Sequence, residues 1–245
     1  MDTTVFDKVK KIIQESSNIV FLGGAGVSTA SGIPDFRSAT GLYNQKSNTH
    51  YSPEYMLSRE FFITHPDEFS DYVRENLIYE NAQPNNAHYA LAKLEKEGKL
   101  KAVITQNIDR LHQKAGSVNV FELHGNLFEY YCVGCRKQFT LEDFKNVKKG
   151  ALRCSKCFQV VRPNVVLYGE GLDMTVYYGA VRAIELADVF IVGGTSLVVY
   201  PAAGLLNFYH GHKLVLINME KTPADSFADY ILHGDISQIL HNLVN

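Results

Sequence analysis

The chain has 245 residues, 46% hydrophobic and 20% charged, enough to bury the core of one large α/β domain with a smaller appendage. Its formal net charge is -2, and Lys and Arg never gather into a dense run, so no direct nucleic-acid binding is expected. No apolar stretch approaches the ~20 residues that span a bilayer, and Met1-Asp2-Thr3-Thr4 does not begin a secretory signal, so a cytoplasmic protein without membrane contact is expected.

Val5, Val9, Ile12 and Ile13 recur at helical spacing and predict an amphipathic helix over 3–15. Ile19-Val20-Phe21-Leu22 is a short apolar run closed by Gly23-Gly24, the pattern of a buried parallel strand. The pattern returns at Ala102-Val103-Ile104-Thr105, at Val189-Phe190-Ile191-Val192 before Gly193-Gly194, and at Leu214-Val215-Leu216-Ile217. Helices are predicted over 85–97, 174–187, 201–209 and 235–243. This alternation predicts an α/β fold, a doubly wound, Rossmann-like parallel sheet. Two segments break the rhythm. Residues 38–80 are aromatic, polar and helical, and residues 127–162 hold all four cysteines. Both read as insertions that build a smaller helical and zinc-ribbon domain, leaving 1–37, 81–126 and 163–245 to the sheet domain. A cleft between sheet and insertions is the default site.

Gly24-Ala25-Gly26-Val27-Ser28 follows a predicted strand and opens a predicted helix. Glycines let backbone approach a pyrophosphate, and a helix N-terminus offers free N–H groups; a plain strand-to-helix turn has the same outline. The dehydrogenase fingerprint needs a third glycine where Thr29 stands, and Asp35 comes too early to bind a ribose. Nucleotide binding without hydride transfer is the reading this favours. A second turn, Gly193-Gly194-Thr195-Ser196-Leu197, sits after the later strand, with hydroxyls suited to phosphate or ribose.

Cys132-x2-Cys135 and Cys154-x2-Cys157 are separated by eighteen residues, the spacing of a two-knuckle zinc ribbon. Two disulfides or free thiols are the alternative, disfavoured in a reducing compartment. Four thiolates close the coordination sphere, so the metal would be structural and no cysteine nucleophile would remain. G-x-S-x-G and H-E-x-x-H are absent from the sequence, which removes common hydrolase routes. Thr105-Gln106-Asn107-Ile108-Asp109-Arg110-Leu111-His112 instead clusters amide, carboxylate and imidazole groups at a strand end, where a parallel sheet opens to ligand. Farther on, His124 is framed by Leu123 and Gly125 and is a general-base candidate if it shares a cleft with that cluster.

At these residues the sequence resembles the sirtuin family, and within it the compact bacterial-type deacetylases. The likeness rests on Gly24-Ala25-Gly26-Val27-Ser28, Ser31-Gly32-Ile33-Pro34-Asp35-Phe36-Arg37-Ser38, Thr105-Gln106-Asn107-Ile108-Asp109 and Leu123-His124-Gly125. It continues through the cysteine spacing, Arg162-Pro163-Asn164-Val165-Val166 with Tyr168-Gly169-Glu170, and Gly194-Thr195-Ser196. The resemblance implies NAD⁺ as co-substrate, held between the two domains, and one structural zinc on Cys132, Cys135, Cys154 and Cys157. It implies that the acyl-lysine oxygen attacks C1′ of the nicotinamide ribose, nicotinamide leaves, and His124 then acts as base on the ribose hydroxyls. Lysine and O-acetyl-ADP-ribose are the further products. By the same resemblance Asp109 and the Ile108 backbone hold the carboxamide, Asn107 positions ribose and water, and Gln106 bonds a ribose hydroxyl. Phe36 covers the sugar face, Arg37 reaches phosphate, and Gly24, Ala25, Gly26 and Thr29 line the phosphate turn. Thr195, Ser196, Asn218 and Ile236 line the adenosine end. Val166 receives the lysine N–H, Tyr168 walls the acyl tunnel, and acetylated protein chains add as a strand around Gly169-Glu170 and Leu197-Val198-Val199.

Two departures stand beside these positions: Gly23 where threonine is usual, and Arg110 where glycine is common. The Tyr-x-x-Arg pair of succinyl- and malonyl-preferring members is missing, since Ser58 stands third after Tyr55 and Arg74 second after Tyr72. The expectation is therefore a monomeric NAD-dependent lysine deacetylase. Protein mono-ADP-ribosyltransfer by the same NAD⁺ cleavage and a non-catalytic NAD⁺-sensing module are the alternatives.

Overall fold

The computed structural model describes residues 3–36, 38, 41–44 and 50–245. In chain order the regular elements begin with α1 (Thr3–Glu15), β1 (Ile19–Gly23), α2 (Pro53–Met56), α3 (Arg59–Thr64), α4 (Pro66–Asn76), α5 (Asn86–Lys96) and β2 (Leu100–Thr105). They continue with α6 (Leu111–Lys114), β3 (Val120–Glu122), β4 (Gly125–Cys132), β5 (Gln138–Thr140), α7 (Leu141–Lys145) and β6 (Val161–Val165). The last are α8 (Met174–Glu185), β7 (Val189–Gly193), β8 (Leu214–Asn218), β9 (Tyr230–His233) and α9 (Ile236–Val244). The chain divides into two compact units, one of Met1–Asp35, Ala82–Leu123 and Asp173–Asn245, the other of Phe36–Asn81 and His124–Leu172.

The first unit is the doubly wound sheet. Six parallel strands run in the order β3-β2-β1-β7-β8-β9. Apolar side chains alternate between its two faces. Ile19, Phe21, Val103, Val189, Ile191, Val215 and Ile217 face α1, α5 and α9, while Val20, Leu22, Ile104, Phe190, Val192 and Leu216 face α8 and the 3₁₀ segment Ala202–Phe208. β1, β7 and β8 are buried along their whole length, which is why their runs are apolar up to the strand ends, where Gly23, Gly193 and Asn218 stand. Each fully buried Val, Leu, Ile or Phe contributes about 1.5–3 kcal/mol. The order reverses between β1 and β7, and this is the switch point at which such sheets bind ligands.

Two expectations change here. The helix expected to open at Gly24 is two short 3₁₀ turns, Ala25–Val27 and Thr29–Ser31, stopped by Gly32 at φ +82° and by Pro34 soon after. The helix expected over 201–209 is 3₁₀. The edge strands β3 and β9, three and four residues long, carry too short a pattern to be read from periodicity.

The second unit holds an antiparallel three-stranded sheet, β5-β4-β6, and the helices α2, α3, α4 and α7. Residues 124–126 and 163–172, assigned from sequence to the sheet domain, belong here because β4 starts at Gly125 and pairs with β6, Gly125 lying opposite Val165. Among the described residues no helix is long and apolar enough to cross a membrane.

Candidate active site

The two glycine turns meet at the switch point. Gly23 lies beside Gly193 in register, and the Gly26 N–H donates to the Gly194 carbonyl at 2.8 Å. A Cβ on Gly26 would stand 2.9 Å from Gly194 Cα and O, and one on Gly24 would stand 2.7 Å from Thr195 Cβ. Gly194 itself sits at φ +61°, where a Cβ would come within 2.5 Å of the Val27 nitrogen. These glycines are thus required for the two loops to pack together, a demand separate from phosphate approach. Ala25 is half-buried, and Thr29 is exposed with its hydroxyl on the Gly26 carbonyl at 3.0 Å. On the other side the Thr195 N–H donates to Asn218 Oδ1 at 3.0 Å, and Ile236 packs against Gly193. Asn218 Nδ2 is buried with no hydrogen-bond partner among the described residues, an orphan donor facing a need that a nucleotide acceptor meets. Ser196 is exposed beside it in sequence.

The strand end after β2 is tied into the first turn. Gln106 donates from its backbone to the Gly23 carbonyl at 3.0 Å and from Nε2 to Thr195 Oγ1 at 3.1 Å, spanning both turns. Asn107 is held by its N–H on Thr105 Oγ1 and by Nδ2 on Ser28 Oγ at 3.1 Å. Ser28, 1% exposed, donates its own hydroxyl hydrogen bond to Asp109 Oδ2 at 2.7 Å. The other carboxylate oxygen accepts from the Leu111 N–H at 2.9 Å, capping α6. Burial pushes the Asp109 carboxyl above its ordinary range, and the Leu111 and Ser28 hydrogen bonds partly restrain that rise. Ile108 lies half-buried between these two residues. Behind them, His88 and His112 are buried with ring centroids 4.7 Å apart. Burial lowers the His88 imidazole to about 4 and holds that of His112 far below its usual value, so both are neutral.

In the second unit His124 is half-buried and its carbonyl accepts the Val166 N–H at 3.0 Å. Tyr168 is fixed through its backbone, donating to Leu57 and accepting from Arg59. The Glu170 side chain is engaged within its own unit, and the expected peptide contact is one of its main chain. Its carboxylate takes a bidentate grip from Arg162, at 2.6 and 3.0 Å, and the Leu167 N–H at 2.9 Å. Burial opposes ionisation of Glu170, and Arg162 with the Leu167 N–H outweighs it, so the pKa stays below normal. The carboxylate is a structural anchor, leaving Gly169, at φ +85°, as the open point of that loop. Phe36 packs against Tyr43, ring centroids 5.4 Å apart. Arg37, expected at a phosphate, lies outside the described residues. Leu197, in the first unit, takes φ +54° and Val198 beside it is half exposed.

The family model described as the Sir2 family matches residues 24–201, from the first glycine turn to past the second. The chain belongs to the Sir2 family. A protein named NAD-dependent protein deacetylase from Clostridium perfringens (strain 13 / Type A) is 55% identical over 240 residues, covering 98% of each chain. One of the same name from Clostridium tetani (strain Massachusetts / E88) is 56% identical, over 100% of this chain and 98% of its own. Among solved structures, a Sir2–p53 peptide–NAD⁺ complex superposes with a TM-score of 0.87 at 42% identity, covering 97% of this chain and 96% of that one. A Sir2 structure with deacetylated p53 peptide and 3′-O-acetyl ADP ribose gives 0.89 at 41%, with the same coverage.

The cysteines of this Sir2 chain fit one zinc. All four Sγ atoms lie within 4.8 Å of one another, with Cys132–Cys157 at 3.3 Å and Cys135–Cys154 at 3.7 Å. Tetrahedral zinc with bonds of about 2.3 Å sets sulfurs roughly 3.8 Å apart, while a disulfide needs about 2 Å. The Cys135 N–H points to the Cys132 sulfur and the Lys156 N–H to the Cys154 sulfur, the support a thiolate ligand needs. The two departures also have structural counterparts. A Cβ at Gly23 would meet the Phe21 ring at 2.6 Å. Arg110 takes the left-handed φ of +57° that favours glycine, and its guanidinium reaches Glu122 at 3.3 Å. Ser28 and Thr105 read from sequence only as members of their motifs and His112 only as part of the strand-end cluster, while His88 carries no role there; the readable signal for His88 is its place three residues after the N-cap Asn85, the spacing of a capping box.

Proposed function

We propose that this Sir2-family chain is an NAD-dependent protein-lysine deacetylase that releases nicotinamide and moves the acetyl group to ADP-ribose. The observation that carries the reading is the Asn107–Ser28–Asp109 network beside the paired glycine turns at the sheet's switch point. NAD⁺ supplies an electrophilic sugar carbon with nicotinamide as leaving group. Asp109, its carboxylate aligned by Ser28 and Leu111, accepts the carboxamide N–H, and the Ile108 backbone completes that clamp. Asn107, fixed by Thr105 and Ser28, presents its remaining amide group to ribose and water. Gln106 holds a ribose hydroxyl. The backbone turn Gly24-Ala25-Gly26, with Thr29 and Arg37, takes the pyrophosphate; Thr195, Ser196, Asn218 and Ile236 take the adenosine. Phe36 excludes water from the sugar face. His124 takes the proton from a ribose hydroxyl as it adds to the acyl carbon. Val166 and Tyr168 hold the acyl-lysine, and Gly169, Glu170, Leu197 and Val198 receive the peptide main chain.

An acetyl group suits this wall better than an acidic acyl group. Arg74 is engaged by Asp71 at 2.5 Å and stacked on Phe144, so this arginine, two residues after Tyr72, is not offered to a distal carboxylate. The enzyme acts as a cytoplasmic monomer on acetylated proteins, without direct contact to nucleic acid or membrane. The test is an acyl-lysine peptide panel with and without NAD⁺. Acetyl-peptide yields free lysine and O-acetyl-ADP-ribose only with NAD⁺, and succinyl-peptide reacts far more slowly. His124→Ala lowers turnover about 10²–10⁴-fold while NAD⁺ still binds. ADP-ribose attached to protein with no free lysine would overturn the reading.

A further inference from the structure

Tyr43 and Tyr168 share a hydrogen bond between their phenol oxygens at 2.8 Å. The two residues reach that contact from different backbone supports. Tyr168 is pinned on both sides of its backbone: its N–H donates to the Leu57 carbonyl at 3.0 Å, and its carbonyl accepts from Arg59 at 2.9 Å. Those neighbours are held in turn by Ser58, whose hydroxyl caps α3 at the Phe61 N–H. Tyr43 is pinned to Phe36, with its N–H on the Phe36 carbonyl at 2.9 Å and its ring tilted 57° against the Phe36 ring. A phenylalanine at position 168 would offer the same aromatic wall and no tie. In the proposed roles, the hydroxyl pair joins Tyr168, the wall of the acyl-lysine site, through Tyr43 to Phe36, the cover of the cofactor sugar.

We propose that the Tyr43–Tyr168 hydrogen bond couples the two substrates, so that acyl-lysine against Tyr168 holds Phe36 in place and tightens NAD⁺. Tyr43 is in this sense a positioning residue, and the inference rests on the deacetylase reading. The mechanism is thermodynamic: whatever stabilises one end of a shared contact lowers the cost of ordering the other, and the coupling is reciprocal.

The measurement is the ratio of the NAD⁺ KM at low acetyl-peptide to that at saturating acetyl-peptide, from initial rates of nicotinamide release. Y43F and Y168F keep both rings and delete one hydroxyl each. Each lowers the ratio about two- to tenfold, the range of one net hydrogen bond. The Y43F/Y168F double variant is no worse than either single, because both remove the same bond. Losses that multiply in the double variant overturn the coupling, as does a wild-type ratio in either single. A fall in melting temperature or kcat with the ratio unchanged also overturns it, marking a structural role alone. A wild-type chain that frees no lysine from the acetyl-peptide refutes the deacetylase reading and the coupling with it, whereas wild-type turnover with multiplying losses refutes only the coupling.

Discussion

Replacing Ser28 with alanine removes one hydroxyl from a site that water does not reach, since Ser28 is 1% exposed. That hydroxyl donates to Asp109 at 2.7 Å and accepts from Asn107 at 3.1 Å. A hydrogen bond to a buried charged group is worth about 1.5–3 kcal/mol, which disfavours the ionised carboxyl about 10- to 150-fold when lost. Asp109 is already pushed upward by burial, and after the change only the Leu111 N–H among its identified hydrogen-bond donors from other residues remains to restrain it. The sign follows directly: the carboxylate must be ionised to accept the carboxamide N–H, so the acid limb of kcat/KM for NAD⁺ moves to higher pH. On that acid limb kcat/KM falls by at least about tenfold, with nicotinamide release impaired as much as deacetylation. The assay is a pH profile of nicotinamide release for wild type and Ser28→Ala. An unmoved acid limb together with kcat/KM within twofold of wild type would show that Ser28 does not support the Asp109 anion, or that the anion is not used.

Gly26→Ala drives a Cβ to 2.9 Å from the Gly194 backbone, which cannot yield as a side chain would. At about 1–3 kcal/mol for overpacking, a melting temperature lower by about 2–12 °C and a raised NAD⁺ KM are expected; calorimetry and kinetics showing both unchanged would contradict the packing of the two turns. Metal analysis of freshly purified protein should find one zinc per chain, and Cys132→Ala should lower the melting temperature, with activity falling as a consequence; zinc-free protein of full stability would exclude the site. His88 and His112 stay neutral in the native state, with His88 lowered to about 4, while the unfolded chain takes up protons near pH 6.5. Their contribution is therefore complete above about pH 6.5 and is lost as pH falls from there toward 4, roughly 3 kcal/mol for His88 alone. Denaturant titrations across that window should show the slope, and His88→Gln should flatten it.

Much of this was legible in the chain itself. Four apolar runs of strand length, two of them ending in paired glycines, announce a parallel sheet because a strand covered on both faces carries a near-continuous apolar run. The cysteine spacing announces a metal knuckle because ligand geometry is local. The polar cluster from Gln106 to Asp109 follows a buried strand directly, and strand ends are where such sheets open. Short edge strands and 3₁₀ turns were not legible, since three or four residues carry no periodicity.

What the sequence by itself determined is thus the set of elements and the chemical types at the strand ends. Only the tertiary structure decided which of those types meet. Gly26 and Gly194, Gln106 and Thr195, and Ser28 and Asp109 are distant in sequence and become neighbours through the parallel pairing of β1 with β2 and β7. Likewise the sequence does not show that Arg162 clasps the Glu170 carboxylate, a contact made eight residues away through the loop after β6. The physical reason is the same in each case: a side chain's charge, reach and hydrogen-bonding capacity are fixed by its type, while its partner is set by long-range packing that local patterns do not encode.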